Sequence, residues 1–223
     1  MTTIAESTGS VRGTDESLAG YAYRRLRDRL VMLDIEPGAP IVESRLASEL
    51  DVGRTPLREA LKRLESDHLV VTYARRGTFA TNIDITELAE ISAMRHALVP
   101  LAARQAASHS GGQVRQQLFE SMQIAKDIGE NTSRRELLER DLAIHRLINA
   151  AAHSPHLQET LVRLDNLVTR IWCVMLERIP PMAEHVQEHA ALIRAILDGD
   201  PERAEDLALA HVQHFDRVVR SVL

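Results

Sequence analysis

The sequence predicts a mainly α-helical chain in two parts, an N-terminal winged helix-turn-helix followed by an all-α antiparallel helical bundle. Three observations predict it. Two short amphipathic stretches flank the turn Asp51-Val52-Gly53 and stand directly before a pair of β-rich runs joined by Ala74-Arg75-Arg76-Gly77. From Thr86 onward nothing reads as strand, and apolar residues recur at three-and-four spacing, which lines one face of a helix. The apolar content of 44% includes only 3% aromatics, and no apolar run approaches the roughly 20 residues that a membrane span needs.

Residues 1–16 read as a flexible arm: no basic stretch leads into an apolar one, so no secretory signal is expected and the protein is placed in the cytoplasm. Residues 17–82 form the first expected domain. A helix over 17–34 buries Leu18, Tyr21, Leu26, Leu30 and Leu33 and is stopped by Glu36-Pro37-Gly38. Pro40-Ile41-Val42 links it to a helix from Glu43 to Leu50, with Leu46, Ala47 and Leu50 on one face. Thr55-Pro56 then reads as an N-cap followed by proline at the first helical position, since a hydroxyl can accept an orphan backbone N–H and proline has no donor to leave orphaned.

In that third helix Leu57, Ala60, Leu61 and Leu64 share a buried face, while Arg54, Arg58, Lys62 and Arg63 occupy the others. A helix anchored along its back with arginine in its first turn suits the major groove, where arginine pairs with guanine O6 and N7. An ordinary amphipathic helix with a solvated basic face is the alternative for that helix taken alone. Val70 to Tyr73 and Thr78 to Thr81 read as strands of a hairpin whose tip carries Arg75 and Arg76, suited to phosphates or a minor groove, with Gly77 permitting the turn.

The formal net charge of −5 divides unevenly. Residues 1–82 hold 12 basic and 12 acidic side chains, whereas 83–223 hold 15 and 20, so the acid lies in the second part. Positive charge bunches at Arg54 to Arg63 and at Arg75-Arg76, and a local cluster is what attracts phosphates. The single cysteine, Cys173, has no partner for an internal disulfide and sits among apolar residues as a buried, inert thiol.

Residues 83–223 form the second expected domain. A helix opens near Thr86, carries Leu88, Ile91 and Leu98, and is kinked by Pro100. Further helices are expected over 113–128, 133–152, 155–178, 181–198 and 201–222. Four polar residues fall on their apolar faces. Asp141 and His145 share one with Leu138, Leu142 and Ile148; His189 lies with Leu192, Ile193 and Ile196; His211 lies with Leu207, Ala208 and Phe215. Each is costly to bury without a partner, and one divalent cation satisfies all four. An isolated inward histidine is more commonly just hydrogen-bonded. His185 and His214, one turn from His189 and His211, are competing ligands or supports, and His153 and His156 border a loop. Arg95 shares a face with Ile91 and Leu98, where it suits either a small carboxylate or a salt bridge.

The run PGAPIVESRLASELDVGRTPLREALKRLESDHLVVTYARRGTFAT resembles the DNA-binding domain of the GntR family of bacterial transcription regulators. The segments DLAIH, EHAALIRAILDGDPERA and ALAHVQHF resemble the metal-binding version of the all-helical effector (FCD) domain of that family's FadR-like branch. The resemblance implies a homodimer on an inverted-repeat operator, probed by Arg54, Thr55 and Arg58 on bases or phosphates and by Arg76 with Gly77 in the minor groove. Gly53 departs from it, standing where the family has a hydroxyl. It further implies that Asp141, His145, His189 and His211 hold a divalent ion, zinc first, with nickel, manganese, iron and cobalt as alternatives. A small organic acid beside Arg95 would be the effector of a repressor, and no enzymatic activity is expected. A direct metal sensor, or a hydrolytic enzyme whose cation activates water, are the competing expectations.

Overall fold

A computed structural model describes residues 16–109, 111–126, 128, 132–180 and 182–223. Residues 1–15 of the arm expected over 1–16, and the loop at Gly129-Glu130-Asn131, lie outside the described residues. The elements are α1 (Leu18–Val31), α2 (Glu43–Glu49), α3 (Arg54–Ser66), β1 (Val70–Tyr73), β2 (Gly77–Ala80), a 3-10 turn (Ile85–Glu87), α4 (Leu88–His109), α5 (Gly112–Lys126), α6 (Arg134–Ala151), α7 (Pro155–Met175), α8 (Ala183–Asp198) and α9 (Pro201–Arg220). They divide into two compact units: one runs up to Leu30 and resumes over Gly38–Thr81, and the other takes Val31–Pro37 with Asn82–Leu223.

In the first unit, Leu26 and Leu30 of α1, Leu46 of α2, Leu57 and Leu64 of α3, and Leu69 and Val70 beside the hairpin close a single core. Each such side chain contributes about 1.5–3 kcal/mol through the water it sheds, so α3 is fixed along the face that its leucine spacing marks. β1 and β2 pair antiparallel from Val70 opposite Ala80 to Tyr73 opposite Gly77. Ile41 donates its N–H to the Thr78 carbonyl at 2.8 Å, tying the link before α2 to the hairpin.

Two local expectations are corrected. Thr55 is not the cap of α3: the helix starts at Arg54, Gly53 is the extended N-cap with no side-chain bond, and the Leu57 N–H reaches the Gly53 carbonyl at 3.2 Å. Thr55 and Pro56 therefore lie inside the first turn, where proline's missing donor still costs nothing. The first helix ends at Val31 rather than residue 34, because Leu33 takes a left-handed φ of 60° that breaks the helical run.

In the second unit α4 is central, packing on α6, α7, α8 and α9. Its buried residues lie on more than one side, from Ile91 and Val99 to Ala102, Ala103 and Ala106, as expected of a helix surrounded by others. Pro100 lies within α4 without ending it. α6 is capped by Ser133, which accepts from the Glu136 N–H at 3.1 Å, and α9 by Asp200, which accepts from the Arg203 N–H at 3.0 Å. α8 ends at Gly199, whose φ of 71° suits glycine. Leu138 and Ile148 of α6, Leu161 of α7, Val186 and Ile193 of α8, and Ala204 and Ala208 of α9 complete the core.

Candidate functional site

The first unit exposes the residues that the sequence marks for DNA. Arg54, Thr55 and Arg58 all lie on the solvent side of α3. Among the described residues the Arg54 side chain meets no hydrogen-bond or ion partner. Arg58 is 65% exposed but donates from Nε to Glu43 Oε2 at 2.8 Å, which fixes its direction from the start of α2. An exposed pair of this kind contributes about 1 kcal/mol at most, so a phosphate can displace it. Arg63 is spent elsewhere: its guanidinium lies 4.0 Å over the Tyr23 ring, and the Tyr23 hydroxyl donates to Asp67 at 2.6 Å. At the hairpin tip Arg75 has a φ of 63° and Gly77 a φ of 94°. Arg75, Arg76 and Gly77 are all exposed there, with the Arg76 guanidinium 5.6 Å from the Tyr73 ring.

The second unit gathers the four residues marked for a cation. Asp141 and His145 are one turn apart on α6, His189 comes from α8 and His211 from α9, and one ligand atom of each lies within 4.8 Å of the others. All four are buried, His189 completely. His145 Nε2 lies 3.4 Å from His189 Nε2 and 3.9 Å from Asp141 Oδ2, while His189 Nε2 lies 3.8 Å from Asp141 Oδ1. Ligands about 2.1 Å from a common cation stand roughly 3 to 4 Å apart, so this spacing fits a cation with little movement.

The tautomers are set from behind. His189 donates Nδ1–H to the Val186 carbonyl at 3.2 Å, and His211 donates Nδ1–H to Glu188 Oε2 at 3.0 Å. Both rings therefore turn an Nε2 lone pair inward, the arrangement that outer hydrogen bonds give to metal-ligating histidines. His211 Nε2 and Asp141 Oδ1 are buried without a hydrogen bond among the described residues. Orphaned buried acceptors of this kind call for a positive centre between them.

Burial pushes His189 down to about 3, and with it His145 downward and His211 well below the ordinary imidazole value. For Asp141 burial works upward, but the neighbouring imidazoles of His145, His185 and His189 hold the carboxyl well below its usual range. At neutral pH the site is one carboxylate and three neutral imidazoles, the protonation state that ligation requires.

Arg95 is buried on α4, where Nε donates to Asp165 Oδ1 at 2.9 Å while Asn149 Nδ2 donates to Asp165 Oδ2 at 2.9 Å. Its guanidinium lies 5.2 Å over Trp172, which meets Phe215 edge-on at 4.3 Å, and Phe215 stacks on His185 at 4.2 Å. Arg95 thus makes a buried ion pair, one of the two roles its position suited. Sequence reasoning missed Glu188, Asp165 and Asn149. A signal existed for each: Glu188 precedes His189, Asp165 interrupts the stripe of Leu161 and Val168, and Asn149 continues the four-residue step from Asp141 and His145.

Comparison with known proteins matches residues 18–80 to the model of bacterial regulatory proteins of the gntR family, and residues 90–214 to the FCD domain. The chain belongs to the GntR family, with an FCD domain as its second part. Like its relatives, this GntR-family chain is a regulator of transcription. It is 25% identical over 200 residues to the HTH-type transcriptional repressor RspR of Escherichia coli K12, covering 90% of this chain and 88% of that one. It is 29% identical over 198 residues to the Nta operon transcriptional regulator of Aminobacter aminovorans, covering 86% and 90%. The fold matches that of E. coli McbR/YncC with a TM-score of 0.77 at 22% identity, over 92% of this chain and 98% of that one. No helix among the described residues is long and apolar enough to cross a membrane.

Proposed function

We propose that this GntR-family regulator is a cytoplasmic homodimeric repressor. In this reading Arg54, Thr55, Arg58, Arg76 and Gly77 engage operator DNA, and Asp141, His145, His189 and His211 hold a divalent cation, zinc first. The observation that carries it is the convergence of three imidazoles and one carboxylate, with His211 Nε2 and Asp141 Oδ1 buried and unsatisfied. A bound cation would supply open coordination positions to a small organic acid. The chain's own residues do the rest: Val186 and Glu188 hold two imidazoles in register, and Arg95 with Asp165 forms a charged wall whose field reaches His145. The repressor RspR, similar over most of its length, supports the sign of regulation. An effector works only through unequal affinity for the DNA-bound and free states, so the acid would lower operator affinity.

The test uses full-length protein and a duplex selected from a random pool by its binding. A panel of small mono-, di- and tricarboxylates is titrated against the complex, with zinc-loaded and chelator-stripped protein. We expect one class of acid to weaken DNA binding by about 5- to 150-fold in loaded protein only, and His189→Ala to lose the zinc ion held at this site together with the response. Full zinc content in His189→Ala would overturn the site, and release of DNA by zinc alone would make the cation itself the signal.

A further inference from the structure

His185 lies on α8 one turn before His189, 5% exposed, with its ring stacked 4.0 Å from His211 on one side and 4.2 Å from Phe215 on the other. Neither ring nitrogen makes a well-directed hydrogen bond, yet each faces a carboxylate: Nε2 is 3.3 Å from Asp141 Oδ1 and Nδ1 is 3.5 Å from Glu188 Oε2. A neutral imidazole carries a single N–H and serves only one of these. With Nε2–H turned to Asp141, the Nδ1 position beside the Glu188 carboxylate is filled either by a second proton on the ring or by a cation held between the two groups. Glu188 Oε1 in turn stands 2.7 Å from His214 Nδ1 on α9. Ligand atoms of His185, Glu188 and His214 lie within 4.8 Å of one another.

We propose that His185, Glu188 and His214 form a second divalent-cation site, outside the first and hydrogen-bonded to it. Two imidazole nitrogens and a carboxylate suit a borderline ion such as zinc, nickel or cobalt. The Glu188 and His214 side chains are 35% and 44% exposed, so this site opens to solvent where the inner one does not, and water completes its coordination. Glu188 also accepts the His211 Nδ1–H, and His185 faces the Asp141 carboxylate, so each outer residue touches an inner one. The outer site stands on its own three side chains; only its coupling to the inner site rests on the reading proposed above. The outer ion is held by fewer protein ligands and exchanges faster than the inner one.

The experiment strips the full-length protein with chelator, loads it with zinc alone, removes excess by gel filtration and counts ions per chain by elemental mass spectrometry. We expect two zinc ions per chain in wild type, one in His214→Ala and one in His189→Ala, with the wild-type outer ion lost first to a competing chelator. His214 is half exposed, so its replacement leaves the core intact; circular dichroism checks this. One ion in both wild type and His214→Ala overturns the outer site and leaves the inner one standing. Two ions in His214→Ala overturn it as well, by placing the second ion elsewhere. No ion in wild type overturns both sites.

Discussion

His189 shows how strongly a single side chain ties this protein to pH. Completely buried and pushed down to about 3, it is neutral in the fold but takes a proton near 6.5 once unfolded. Below 6.5 the unfolded chain therefore binds more protons than the native one, and stability falls as acid is added. His145 and His211, also lowered, act in the same direction, as does Asp141 further down. His185 opposes them: burial works downward, but the Asp141 and Glu188 carboxylates beside it raise it, so its contribution is present in acid and fades as pH rises through its folded value. We expect the metal-free protein to hold its melting temperature above about pH 6.5 and to lose it progressively toward pH 4, with His189→Leu flattening that slope; a pH-independent melt over this range would contradict the buried neutral imidazole. The inward histidines were legible in the sequence because each sits on an apolar stripe. The role of Glu188 was not, despite its place next to His189, because it depends on α9 bringing His211 and His214 alongside α8.

At the scale of elements, α3 and the hairpin were readable almost residue by residue, since leucines at helical spacing and β-branched runs carry their own period. The cap was misplaced because Thr55-Pro56 is a good cap signal locally, while the backbone of Gly53 takes that role in the folded chain. Arg63 belongs to the basic, non-apolar faces of α3 in the sequence, and only the packing of Tyr23 of α1 beside α3 shows that its guanidinium is engaged there. Arg54 has no such tie. Arg54→Ala is expected to lower affinity for a selected duplex by about 1–3 kcal/mol, roughly 5- to 150-fold, and to change the melting midpoint by under about 2 °C. Fluorescence anisotropy and thermal melts measure the two, and unchanged affinity would remove Arg54 from the interface.

For the whole molecule, a cation held by α6, α8 and α9 as proposed would join residues as far apart in sequence as Asp141 and His211. Such a crosslink stabilises only the native chain, by about 2.7 kcal/mol at a hundredfold excess over the dissociation constant, equivalent to a rise of about 5–10 °C. We expect zinc to slow hydrogen exchange in α6, α8 and α9 while leaving α2, α3 and the hairpin unchanged, and slowing in the hairpin alone would contradict the site. The segment after α1 belongs to the second unit, where Arg135 pairs with Asp34 at 2.9 Å and donates to the Met32 carbonyl. Nothing in the spacing of residues 31–37 announced this. By itself the sequence determined the helices, the hairpin, the basic outer face of α3 and the inward aim of four metal-type side chains, because periodicity, turn chemistry and local charge are properties of neighbouring residues. The tertiary structure alone decided which carboxylate orients which imidazole, which arginine is neutralised and where α3 starts, because those outcomes depend on groups brought together from distant parts of the chain.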